Sequence, residues 1–432
     1  MHRAMIVTVG LLSSLNGLCA CSSSRADTGA NGGAAGVGVG VGGNSAGAAG
    51  TGTAGAAPLG GRSGVSSGGV SSGGASSGGA SSGGASSGGG GASGGSTFTP
   101  GATAMMTKGW LYTMGNQILV SNGGSSAGTR WVGRGVNMDD LFFCGYNNTL
   151  MTQGAEALLK SEIDGLFSAW KPNFVRISLA MNSFPVKASW LSDNASYKTP
   201  MTHLINAIGA HPDTYVLVSV RSDVTMVGYD PDNMEATGVP SDSTNTPDKA
   251  KYPTGTDAVY VALVDSFAQD PYVLFGLTNE AGGNTGTENK IRAAMSHAVT
   301  TIRTEEDKLG VPHHLVSVQG LGYTSDISIY GKQPLTQDNV VYEQHGYPPS
   351  PKSYTFDNIP VVIGEYGTLD GSNAPAFFQD IDTKQISSLA WDFDPYSDCA
   401  PDLLDITTDA SKLTPNDWGK LVQAYLIKHA AP

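Results

Sequence analysis

The sequence predicts an α/β fold, an eight-stranded barrel carried at the end of a long glycine-rich tether. Three observations predict it. From residue 131 onward eight short, continuously apolar runs recur, helix-like stretches or irregular connections separate them, and the pattern fills about 300 residues. Strands apolar along their whole length are those buried on both faces of a parallel sheet, and eight such units close a (β/α)8 TIM barrel. A doubly wound open sheet is the alternative, but no glycine-rich phosphate turn opens a helix after the first strand.

The chain begins with a targeting pattern. Met1-His2-Arg3 is a short positive start, Ala4 to Leu15 is a mostly apolar run, and residues 1–20 end in small residues. The run is too short to span a bilayer, which takes about 20 residues. Leu18-Cys19-Ala20-Cys21 resembles the bacterial lipobox, which implies lipidation of Cys21 and a membrane partner through an N-terminal lipid anchor. Ser22 follows, which in a Gram-negative envelope implies the outer membrane or cell surface; plain secretion is the alternative.

Residues 21–98 read as a flexible linker. Of the 59 glycines, 31 lie in residues 1–100, where Phe98 is the sole aromatic and Ser66 to Gly90 runs through five pentapeptides of the type SSGGA. Such a segment cannot bury enough apolar surface to offset its ordering entropy. As a Gly/Ser coil it has a reach of roughly 50 Å.

Residues 99–432 are the expected folded domain. Trp110 to Ser121 and Thr129 to Val132 read as a short β-hairpin across the polar turn NGGSSAG. The eight barrel strands are Trp131 to Val136, Asn173 to Ser178, Thr214 to Val220, Tyr272 to Leu277, Leu315 to Gln319, Val340 to Gln344, Val361 to Gly364 and Ser387 to Asp392. Helices are expected at Glu156 to Trp170, Met201 to Ile208, Asp257 to Gln269, Glu288 to Leu309, Ala376 to Thr383 and Asn416 to Lys428. The long connection from Asp223 to Gly255 is either a wall of the cleft or a disordered excursion.

From residue 101 on, 36 acidic residues stand against 21 basic ones. With no basic face, this domain is not expected to bind nucleic acid. A neutral ligand, no cofactor and a monomer are expected. Once Cys19 leaves with the signal and Cys21 takes lipid, Cys144 and Cys399 remain, as a possible disulfide or as two buried thiols. Gly124 to Gly128 matches G-x-S-x-G, but in a polar turn rather than between strand and helix, so an esterase is disfavoured. His313-His314 lacks a third ligand in register, and no metal site is expected.

In a barrel the chemistry gathers at the C-terminal strand ends. There the second strand carries Arg176, the fourth Asn279-Glu280, the sixth Glu343-Gln344-His345-Gly346-Tyr347, the seventh Glu365 and the eighth Trp391. Two carboxylates about 5 Å apart repel by about 3 kcal/mol at an effective dielectric near 20, so one can stay protonated while the other is ionised. That is the pairing needed for glycoside hydrolysis with retention, and Arg176 would hold the ionised member.

FVRISLA, LFGLTNEA, YEQHGY, VIGEYG and AWDFDP, in this order, resemble the strand ends of glycoside hydrolase family 5, cellulase-type retaining β-glycosidases. The resemblance implies Glu280 as acid/base, Glu365 as nucleophile and Asn279 as donor to the sugar 2-hydroxyl. It also implies that His345 and Tyr347 line the site and that Trp391 forms a sugar platform. The substrate implied is a polysaccharide or oligosaccharide, β-1,4-glucan first and β-mannan or another β-glycan second. A surface lipoprotein that binds glycans without cleaving them is the reading from another class. Two departures stand out: Ala281 follows Glu280 where the family usually has proline, and Arg221 falls where it usually has histidine, making Arg221 a possible substrate contact.

Overall fold

The computed structural model describes residues 108–122, 125–138, 155–180, 190, 197–221, 256–280, 287–350, 358–395, 401–405 and 412–430. The signal pattern, the tether, Cys21, Cys144, Cys399 and the connection 223–255 lie outside the described residues.

The folded part opens with an antiparallel meander of β1 (Leu111–Met114), β2 (Gln117–Asn122) and β3 (Ser125–Arg130). This corrects the expected hairpin. Gly115, at φ 59°, takes a left-handed conformation that costs glycine little, and it folds Trp110–Ser121 back on itself so that Met114 faces Gln117. The polar stretch after Asn122 then supplies most of a third strand, paired antiparallel to β2 with Ser125 opposite Asn122 and Arg130 opposite Leu119.

Eight parallel strands follow and close into a barrel: β4 (Arg134–Met138), β5 (Phe174–Ala180), β6 (Tyr215–Arg221), β7 (Val273–Gly276), β8 (Val316–Val318), β9 (Val340–Gly346), β10 (Val361–Tyr366) and β11 (Ser387–Ala390). Closure is made by β11 against β4, with Leu389 opposite Gly135. Around them run α1 (Ala155–Ala169), α2 (Thr199–Gly209), α3 (Thr256–Phe267), α4 (Glu288–Leu309), α5 (Ser328–Lys332), α6 (Ala374–Lys384) and α7 (Asp417–His429). The one-turn α5 has no counterpart in the sequence reading, because five residues are too few to display a helical period.

Val175, Ile177, Val216, Val218, Val316 and Ile363 of the strands, all essentially without exposure, share one buried core with apolar side chains of the helices, among them Leu166, Leu204, Leu263, Ile302, Phe377 and Val422. The N-terminal end is closed by Trp131, whose ring meets Phe174 and Tyr215 edge-on at 5.1 and 5.2 Å. The meander is fastened to that end: Asn339 donates to Leu111 O and His313 O and accepts from Thr113 N, and Lys108 Nζ donates to His211 O and Thr214 O at 2.6 and 2.8 Å.

Several strands extend past the ends their apolar runs predict, β4 to Met138, β9 to Gly346 and β10 to Tyr366. The added residues include Asn137, His345 and Glu365, polar groups buried with partners at the C-terminal end: Asn137 and Glu365 both accept from Arg176, and His345 lies 3.5 Å from Glu365.

Candidate active site

Arg176 organises this end of the barrel. Its side chain projects from β5 with no exposure. Nη1 donates to Glu365 Oε1 at 2.7 Å and to Asn137 Oδ1 at 2.9 Å, while Nη2 donates to Ser219 Oγ at 3.0 Å and to Asn279 Oδ1 at 2.5 Å. Nε stands 3.3 Å from Glu343 Oε1. Burial works against its charge, but Glu343 and Glu365 outweigh that and hold the guanidinium still more firmly protonated.

Glu365 sits at the end of β10, 4% exposed. Its second oxygen accepts from the hydroxyl of Tyr347 at 2.8 Å. Tyr347 is 42% exposed, so the network opens to solvent here.

Glu280 approaches from the other side, after β7. One carboxylate oxygen of Glu280, one of Glu365 and a ring nitrogen of His345 all lie within 4.8 Å of one another. Glu280 has φ 50°, a left-handed backbone that costs a non-glycine residue about 1–2 kcal/mol. A proline at 281 would press residue 280 toward extended backbone, so Ala281 is compatible with this conformation. Gln319 restrains it: Oε1 accepts from Glu280 N and from Thr324 Oγ1, and Nε2 donates to Asn279 Oδ1 at 3.3 Å. The oxygen of Asn279 accepts from Arg176 and Gln319, which orients the amide with its NH2 as the donor end.

His345 links the acids. Nδ1 contacts Glu280 Oε1 at 2.8 Å and lies 3.5 Å from Glu365 Oε2, while Nε2 contacts Glu343 Oε1 at 3.0 Å. Burial favours the neutral ring, but Glu365, Glu280 and Glu343 outweigh it and push the imidazole up to about 10. Glu343 shows the converse. Burial favours its neutral form, yet Arg176, His345 and the Ser317 hydroxyl bring it down to about 2. Glu280, His345 and Glu365 have the donor types of a cation site.

The structure therefore brings together Arg176, Asn279, Glu280, His345, Tyr347 and Glu365, as their strand-end positions lead one to expect. Trp391 follows β11 directly and is 2% exposed, with its carbonyl accepting from Trp418 Nε1 at 3.3 Å. Arg221 ends β6 opposite Ala180, and its side chain lies outside the described residues. Sequence reasoning assigned no role to Asn137, Ser219, Ser317, Gln319 or Glu343. Gln319 and Glu343 had a detectable signal, since each is polar and stands at or near the end of an apolar run.

Comparison with known proteins follows this geometry. The family profile described as Cellulase (glycosyl hydrolase family 5) matches residues 142–397. An endoglucanase of Clostridium saccharobutylicum is 20% identical over 313 residues, covering 68% of this chain and 57% of that protein. The catalytic domain of Thermobifida fusca endoglucanase Cel5A, solved with cellotetraose, superposes with a TM-score of 0.54 at 17% identity, covering 75% of this chain and 99% of that one. A β-glucanase from Saccharophagus degradans gives 0.55 at 18% identity over 76% and 96% of the chains. A β-mannanase from Streptomyces thermolilacinus, with mannohexaose, gives 0.51 at 17% over 75% and 97%. With a closed parallel barrel, two glutamates facing each other, one after β7 and one at the end of β10, and a profile match over more than half its length, the chain belongs to glycosyl hydrolase family 5.

Proposed function

We propose that this glycoside hydrolase is a retaining, endo-acting β-1,4-glucanase, with Glu365 as nucleophile and Glu280 as acid/base. The observation that carries the reading is the carboxylate separation. Oxygens of the two groups lie within 4.8 Å, close to the roughly 5–5.5 Å of retaining enzymes and short of the roughly 6.5–9.5 Å that leaves room for the water of an inverting one.

In the first step Glu365 attacks the anomeric carbon while Glu280 gives its proton to the departing glycosidic oxygen. The carbon–oxygen bond breaks and a glycosyl ester forms on Glu365. In the second step Glu280 takes a proton from water, which attacks the same carbon and releases Glu365. Arg176 and Tyr347 hold the two oxygens of Glu365 in place for attack. Asn279 directs its NH2 to the 2-hydroxyl, a contact that strengthens as the oxocarbenium-like state develops. Trp391 borders the sugar being cleaved, and Arg221 is a further contact to substrate.

Proton NMR of the first-formed product is expected to show β configuration; an α product would remove Glu365 as nucleophile. β-Glucan is the first choice because the endoglucanase likenesses support it, and the mannanase likeness keeps β-mannan as the second. Initial rates on carboxymethylcellulose, lichenan, glucomannan, mannan and xylan decide between them, and binding without turnover on all five would favour the non-catalytic reading. We further propose a lipid at Cys21 that anchors the enzyme outside the cell membrane as a monomer. Cys21→Ala is expected to move the protein from the detergent to the aqueous phase of a Triton X-114 partition; an unchanged partition would remove the anchor.

A further inference from the structure

Glu343 is a buried acid with no place in the two-step scheme. It lies two residues before His345 on β9, so both side chains project to the same face. It has no exposure. Oε1 accepts from Gln319 Nε2 at 3.2 Å, contacts His345 Nε2 at 3.0 Å and stands 3.3 Å from Arg176 Nε, and Oε2 accepts from Ser317 Oγ at 2.7 Å. The neighbouring strand is cleared for it: a Cβ at Gly364 would come within 2.0 Å of Oε1, so even alanine there would collide with the carboxylate.

Resting on the retaining-hydrolase reading, we propose that Glu343 is a positioning residue for the acid/base step: by accepting from Nε2–H it fixes the ring of His345 with Nδ1 toward Glu280, and by engaging Arg176 Nε it leaves Nη1 for Glu365. The charged groups around it come from four elements. Arg176 projects from β5 and Glu365 from β10, His345 shares β9 with Tyr347 just beyond, and Glu280 follows β7. With Arg176 and His345 cationic and Glu343 and Glu365 anionic, the cluster is neutral when Glu280 carries its proton. Replacing Glu343 by a neutral residue makes that state net positive, which favours loss of a proton from the cluster as a whole.

The test is the pH dependence of kcat and KM on soluble β-glucan for the full chain and for Glu343→Gln. The variant is expected to lose about tenfold or more in kcat with KM within about twofold. Its alkaline limb should move down by about one pH unit or more. Glu343→Asp, which keeps the charge, should return the limb to the wild-type position. Loss spread evenly over all pH values, with the limb unmoved, would overturn the proposal. Should Glu343→Gln fail to fold by circular dichroism, the imidazole 15N shifts of the wild type decide: a proton on His345 Nε2 throughout the active pH range supports the proposal, an unprotonated Nε2 overturns it. A wild type inactive on every polymer tested overturns the glycanase reading itself; an active wild type with an unmoved Glu343→Gln limb overturns only the role of Glu343.

Discussion

At the N-terminal end of the barrel Arg303, Glu306 and His314 form a buried cluster; at the C-terminal end Arg176, Glu343 and His345 form another. In the first, Glu306 accepts from Arg303 Nη1 at 2.6 Å and from His314 N at 2.8 Å, and contacts His314 Nδ1 at 2.8 Å. Of the other donors, His314 Nε2 ends on Phe267 O and Arg303 Nη2 on Asp338 O and Asn339 O, while Arg303 Nε faces the exposed Asp338 carboxylate at 3.6 Å. One buried carboxylate, Glu306, serves both partners, and the other acid on Arg303, Asp338, lies at the surface. The second has the same three residue types, but Glu280 and Glu365 also reach the histidine, and Tyr347 opens to solvent. Three carboxylates then share two cations, which leaves one proton to be held or moved. The contrast teaches that composition does not separate a structural cluster from a chemical one; the number of acids per cation and the access to solvent do.

Replacing Glu365 with Gln should break the second cluster's chemistry with the largest effect, a loss of about 10³-fold or more in kcat, with a melting temperature near that of the wild type. Steady-state kinetics and calorimetry on one preparation check both halves. Glu306→Ala should do the reverse. It strands Arg303 and His314 and is expected to cost about 3–5 kcal/mol of stability, read by urea unfolding, while turnover per folded molecule stays at the wild-type value.

Acid sharpens the contrast further. The Glu343 carboxyl sits at about 2 in the fold against an ordinary 4.5, so its stabilisation is complete above about 4.5 and is lost as pH falls through about 2. A drop on the order of a few kcal/mol is expected across that window, and urea midpoints for Glu343→Gln should decline less steeply there than those of the wild type. The smallest effect is expected for Tyr347→Phe, which removes one hydrogen bond to a charged acceptor. That is worth about 1.5–3 kcal/mol, or about 10- to 100-fold in kcat/KM, with stability unchanged because the hydroxyl lies at the open rim.

Much of this site is legible before folding. Glu280 and Glu365 each end an apolar run beside Asn279 or Gly364, and Arg176, His345 and Tyr347 occupy equivalent strand ends, so the periodic pattern alone gathers them at one face. The supporting residues are not legible in the same way. Asn137, Ser219, Ser317, Gln319 and Glu343 are polar residues in or beside strands, and hydropathy counts them as interruptions, which is also why β4, β9 and β10 extend past their apolar runs.

Sequence by itself determined the barrel, its two facing glutamates and the acidic character of the domain, because burial on both faces of a strand leaves a local record in the side chains. Tertiary structure decided the extra strand of the meander, the left-handed turn at Glu280 and the burial of Glu343. A polar group can be buried only where partners distant in the chain satisfy it. Ser317, Gln319 and Arg176 meet Glu343 only after closure of the barrel has set β8 beside β9 and β5 across the interior from them.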